Sequence, residues 1–181
     1  MANLQKSPTT QTLSGPRANI FMIFIVLTQL VQMIPFGAGI NAGSTLSVAV
    51  GSTQEKGAWI AAAYPLTSGT FVLVGGPLGA IYGHKNLLTL GAIWWVFWTL
   101  ATIVADNIVA MAFIRGLAGV GGGFMTPNAV ALLGITFSPG KRRNLSMALF
   151  GAMAPVGAAG GSLVAAAFVQ EVRWKWLFFF L

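Results

Sequence analysis

One cation, Arg115, sits in the run NIVAMAFIRGLAGVGGGFMTPNAVALLGITF, with no other charge between Asn107 and Gly140. The run is long enough to cross a bilayer, and an ionisable group at its centre costs about 2.5–3.5 kcal/mol on insertion scales. Arg115 therefore marks a polar interior rather than a lipid-facing surface. At helical spacing it shares a stripe with Gly119, Gly122 and Thr126, which places a guanidinium beside bare backbone. Such a group can hold carbonyls of the first or fifth apolar segment, or steer an anion or a proton-coupled group. Gln29 and Gln32, three residues apart, Tyr64 and Asn128 are further polar candidates for the same interior.

This set binds and orients; it does not make or break bonds. The chain has three acids, Glu55, Asp106 and Glu171, all outside the apolar runs, so paired-carboxylate chemistry within the membrane has no donors. Cysteine is absent and His84 is the single histidine, which leaves no metal centre. GVGGGF at Gly119 to Phe124 lacks the third glycine of a dinucleotide fingerprint and follows an apolar helix. Gly134 and Gly140 bracket one residue too many for a phosphate loop, and Arg142 stands where Ser or Thr is required. No catalytic residue and no cofactor is expected, and the protein is not read as an enzyme.

The elements that position these residues follow from composition. The chain is 56% hydrophobic and 7% charged, with mean hydropathy +0.78, the signature of an integral membrane protein. Five apolar stretches can each supply the roughly 20 residues of a spanning helix, near 20–40, 58–80, 87–105, 108–134 and 145–168. A sixth begins at Trp174 to Leu181, and the chain ends inside it. The expected fold is all-α, a polytopic transmembrane helix bundle. The first 19 residues are polar and rich in Ser, Thr, Pro and Gly. They read as a disordered tail without a cleaved signal.

If the N-terminus is cytoplasmic, inside segments carry Lys6, Arg17, Lys85, Lys141, Arg142 and Arg143, and outside loops carry Lys56, Arg173 and Lys175. The basic excess favours that orientation. Net charge +7 then reflects topology and an anionic inner leaflet, and nucleic acid is not expected as a partner.

Small residues recur every four positions at Gly75, Gly79 and Gly83, at Gly119 and Gly123, and at Gly157 and Gly161. That spacing lets helix backbones approach closely in lipid. Pro35, Pro65, Pro127 and Pro155 fall in spans one, two, four and five, where each removes a backbone donor and permits a bend. Span three has no proline but has Trp94, Trp95 and Trp98, and reads as the more rigid, lipid-facing helix.

Several of these segments resemble those of a known family. GGPLGAIYGHKNLLTLG (Gly75 to Gly91) is similar to the loop signature between helices two and three of the major facilitator superfamily. FIRGLAGVGGG is similar to its helix-four arginine motif, and GAMAPVGAAGG (Gly151 to Gly161) to its helix-five antiporter motif. AAYPLTSGTF, GHK, PNAVALLG, SPGKRRN, LFGAMAP and WKW resemble the fungal drug:proton antiporter branch that includes aminotriazole-resistance and boron-efflux transporters.

The resemblance covers about 57–181 and implies the N-terminal half of a major facilitator fold, ending at the opening of helix six. It assigns Gly79, Gly83, His84 and Lys85 to a gating loop and Gly151, Pro155, Gly157, Gly160 and Gly161 to the antiporter motif. The loop departs from the family pattern at one position: Ala80 stands where an aspartate is expected, which puts control of the gate in doubt.

The resemblance further implies small-molecule transport as part of a proton-coupled exporter, in the plasma or vacuolar membrane. Its partners would be the bilayer, a small-molecule substrate, protons, and the C-terminal half or a related transporter. The alternative is a transport-dead membrane protein that assembles with other helices through its glycine faces.

Overall fold

The computed structural model describes residues 15–49, 54–105 and 107–171, with side chains described for 15–40, 57–105 and 107–167. Most of the expected N-terminal tail and the sixth hydrophobic segment lie outside the described residues. Five helices follow in order: α1 (Pro16–Ala49), α2 (Gln54–Tyr82), α3 (His84–Ala101), α4 (Ile108–Thr136) and α5 (Lys141–Glu171), with a short 3-10 turn at Thr102–Val104 after α3. Five stretches are long and apolar enough to cross a membrane: Pro16–Ile40, Gly57–Tyr82, His84–Val104 (α3 with the 3-10 turn), Ile108–Thr136 and Lys141–Ala167.

The first helix starts earlier than its composition suggests. Proline is favoured in the first helical turn because its missing N–H would be unpaired there anyway. Pro16 takes that place after Gly15, whose φ of 78° suits glycine. Arg17 and Asn19 are thus helical, and Ala18 is fully buried, so the expected tail boundary at residue 19 moves back.

The prolines do not break the helices. α1 runs through Pro35, α2 through Pro65 and Pro77, α4 through Pro127 and α5 through Pro155.

Two pairings dominate the bundle, α1 with α5 and α2 with α4, and glycine builds both. A Cβ on Gly157 would strike the Leu30 carbonyl, one on Gly161 the Ile34 carbonyl, and one on Gly37 the Ala158 carbonyl. The Ser162 hydroxyl adds a hydrogen bond to the Gly37 carbonyl at 3.0 Å. Across the other pair, Gly119 abuts Thr67 and the Tyr64 carbonyl, Gly123 abuts Phe71, and Gly75 abuts the Gly123 carbonyl. Pro127, lacking an N–H, leaves that same Gly123 carbonyl without its helical donor. In both pairs low numbers face low numbers, so the helices run parallel.

α4 packs on α2 much as α1 packs on α5, the relation expected if the three-helix repeats of a transporter half are inverted copies.

α3 lies antiparallel along α4. Gly121 meets the Gly91 carbonyl and the Trp95 backbone, and the Trp94 indole N–H donates to the Leu117 carbonyl at 2.8 Å. The third helix is therefore only partly lipid-facing: Trp94 is half exposed, but Trp95 is buried, its backbone and Cβ seated against Gly121.

α4 is the innermost helix, with Arg115, Gly119, Gly122, Met125, Asn128, Ala129 and Leu132 all buried. Large apolar side chains such as Ile20, Phe24, Leu66, Leu73, Phe113 and Leu163 lie outermost, as suits a surface covered by lipid or by further helices.

One end of the bundle is basic. Arg17, Lys85, Lys141 and Arg142 are exposed there, with Arg143 half-buried. Arg142 joins the start of α5 to the start of α1 by donating to the Asn19 side-chain oxygen, and it lies over the Phe137 ring, 5.5 Å from its centroid.

Candidate functional site

Arg115 is 4% exposed and reaches two neighbouring helices. Its Nε donates to the Ile60 carbonyl of α2 at 2.7 Å, and an Nη donates to the Pro35 carbonyl of α1 at 3.1 Å. The guanidinium lies against Gly39, where a Cβ would occupy its place. A planar fork suits this task, because one group addresses carbonyls on two helices at once. Of the two segments considered from the sequence, span one is held and span five is not; span two takes the remaining bond.

About two turns further along α4, Gly122 opens a second polar contact. The Gln32 amide donates to the Tyr64 hydroxyl at 2.9 Å, and a Cβ on Gly122 would collide with both groups. Gln32 is 1% and Tyr64 5% exposed, so an α1–α2 hydrogen bond crosses the interior directly over the α4 backbone. Tyr64 also packs against Phe36, ring centroids 6.1 Å apart.

Gln29 is buried one turn away on α1 with its Oε1 unpaired, and the Trp95 and Trp98 indole N–H groups are likewise buried without partners among the described residues. Three sequence candidates, Arg115, Gln32 and Tyr64, thus meet around α4. Gln29 flanks them with unused acceptor capacity. Thr126, the last member of the predicted stripe, instead bonds the Gly122 carbonyl of its own helix at 3.2 Å.

Asn128 does not join this group. It is fully buried at the other end of α4, where its Nδ2 donates to the Gly75 and Phe124 carbonyls at 3.0 and 2.7 Å. Its Oδ1 lies 2.7 Å from His84 Nδ1. Both amide hydrogens and the amide oxygen are thus engaged by groups of the protein. The residue belongs with the expected gating loop, and it is there that Gly79 acquires its reason: a Cβ at that position would displace Asn128 Oδ1 and crowd His84. Gly83, φ 92°, makes the tight turn into α3, while Lys85 and Ala80 are exposed.

The antiporter-motif glycines divide by face. Gly157 and Gly161 seat α5 on α1, whereas Gly151 and Gly160 have open space around them among the described residues and Pro155 is exposed.

Between α2 and α4 lies a cleft of about 590 Å³ that the sequence reading missed, lined by Trp59, Ala63, Leu66, Ala112, Phe113 and Val120 among others. Its threonine, Thr67, already donates to the Gly116 carbonyl at 2.7 Å, so the walls are effectively apolar. An apolar groove between two apolar helices leaves no periodic signal to find.

A multi-pass α-helical membrane protein whose buried polar groups bridge helices around one glycine-rich central helix is the class this architecture defines. The profile of the Major Facilitator Superfamily matches residues 19–181, and the chain belongs to that family. It is 39% identical over 164 residues to an uncharacterized transporter of this type from Schizosaccharomyces pombe, covering 88% of this chain and 32% of the relative. It is 37% identical over 175 residues to the efflux pump terJ of Aspergillus terreus, covering 94% and 33%. It is 31% identical over 166 residues to the aminotriazole resistance protein of Saccharomyces cerevisiae, covering 88% and 31%. The chain spans about a third of the length of the relatives it matches. Its five helices are those of the N-terminal half of a major facilitator fold.

Proposed function

We propose that this chain forms the N-terminal half of a proton-coupled exporter of small molecules, with its N-terminus and basic end cytoplasmic, in the plasma or vacuolar membrane. The observation that carries the reading is Arg115, a buried cation on α4 bonded to carbonyls of α1 and α2. It makes three helices move as one around a polar interior. Such a unit can rock against a second half around a midplane site.

Gln32 and Tyr64 supply the adjoining hydrogen bond, and the unpaired Gln29 oxygen offers an acceptor to a passing solute. No acid lies within the five spans, so the carboxylate that exchanges a proton comes from the remainder of the transporter. The names of the relatives support small organic molecules as cargo, one being an efflux pump and another a resistance protein.

The test is a chimera in which residues 19–181 replace the matching segment of the S. cerevisiae aminotriazole resistance protein. Aminotriazole resistance restored to yeast lacking that protein supports the reading; a chimera that reaches the membrane and confers none contradicts it.

A second reading, an assembly partner without transport of its own, is favoured by the open faces at Gly151 and Gly160. Capture of a full-length relative by the 181-residue chain, together with an inactive chimera, would select it.

A further inference from the structure

We propose that Asn128 and His84 form a latch that fixes the α2–α3 turn to α4, and that the latch holds the imidazole with its proton on Nδ1. The assignment follows from hydrogen-bond arithmetic. Asn128 Nδ2 faces two carbonyls, those of Gly75 and Phe124, and carbonyls accept only. The amide therefore cannot be flipped, and its Oδ1 is the atom that meets His84. An amide oxygen accepts only, so His84 Nδ1 at 2.7 Å must be the donor. In the neutral ring that leaves Nε2 as the bare acceptor. Nε2 is not among the buried unpaired atoms, and it has no hydrogen-bond partner among the described residues.

The latch is built into the backbone on all sides. Gly79 clears the space it fills, and Gly83 turns the chain so that His84 opens α3 beside α4. Asn128 directly follows Pro127, so the latch closes on α4 where its backbone ladder already lacks a donor. Ala80, by contrast, is exposed at the end of α2. In this chain the turn is thus held through the buried Asn128 and the half-buried His84 rather than through position 80.

The latch deepens the transporter reading, since a turn tied to α4 travels with the helix that carries Arg115. Asn128 and His84 are positioning residues and touch no solute.

The experiment uses the full 181-residue chain in lipid bilayers with 15N-labelled histidine. His84 is the only histidine, so one imidazole gives the whole signal. In the neutral form the spectrum is expected to show the proton on Nδ1. Asn128→Leu and Gly79→Ala, which remove the acceptor and fill its space, are expected to lose the Nδ1–H signal in favour of Nε2–H, and Ala80→Asp to keep it. An Nε2–H ring in the parent chain overturns the latch whether or not the variants fold, and so does an Nδ1–H signal that survives Asn128→Leu. Neither result depends on transport: an inactive chimera with Nδ1–H intact removes the transport reading and leaves the latch.

Discussion

Gly160 and Gly161 are neighbours in sequence, and alanine should act on them in opposite directions. Among the described residues, a Cβ at Gly160 meets nothing within 4 Å. Gly160→Ala therefore gains the helix preference of alanine over glycine, about 0.5–1 kcal/mol. A Cβ at Gly161 falls on the Ile34 carbonyl, with the Ile34 carbonyl carbon at 2.8 Å and Cα at 3.0 Å. The obstacle is backbone, which cannot swing aside like a side chain, so α1 and α5 must separate along their main contact. Overpacking of this kind costs about 1–3 kcal/mol, and an obstacle of backbone belongs at the upper end. Offset by the same helix preference, Gly161→Ala should lose about 2 kcal/mol, which puts the two variants about 3 kcal/mol apart. Equilibrium unfolding of the purified chain in mixed micelles, followed by tryptophan fluorescence, reads this difference. Equal stabilities, or a loss at Gly160, would refute the packing of α5 on α1 described above.

Two further outcomes follow from the interior and the turn. Gln32→Leu and Tyr64→Phe each remove one side of the buried 2.9 Å bond, and a double-mutant cycle should give a coupling of about 0.6 kcal/mol in unfolding free energy, the average such cycles give for interhelical bonds in a membrane protein; a coupling of zero would show that the pair is not bonded. Ala80→Asp places an acid on an exposed site at the basic end and is expected to raise transport by the chimera, measured as initial efflux rate; an unchanged rate would count against a role for position 80 in the gate.

The presence of five membrane-spanning helices was legible because length and apolarity alone decide it, whereas their ends, such as the start of α1 at Pro16, were not. Which way each helix faces was not legible. These helices are apolar nearly all round, so periodicity gives no inward stripe, and rotation is set by where glycine lets a neighbour approach. That is why Gly160 and Gly161 looked alike in sequence yet lie on different faces, and why Trp95 turned inward while Trp94 stayed half exposed.

Arg115 was legible as buried because its charge is costly in lipid, and its bond to α1 was among the options its chemistry allowed. Asn128 stood among the polar candidates for the interior because sequence shows an amide's capacity and not which groups engage it. His84, forty-four residues away, takes that capacity.

The central claim is that Arg115 ties α4 to α1 and α2 inside a transporter half. The measurement closest to it is initial efflux from vesicles containing the chimera, with Arg115→Ala and Arg115→Lys compared at equal membrane insertion. Lysine keeps the charge but not the planar fork that spans the Ile60 and Pro35 carbonyls. Efflux is expected to be abolished by alanine and cut at least about tenfold by lysine, the equivalent of about 1.4 kcal/mol, which is near the worth of one charge-assisted bond. Near-normal efflux by Arg115→Ala would contradict the claim.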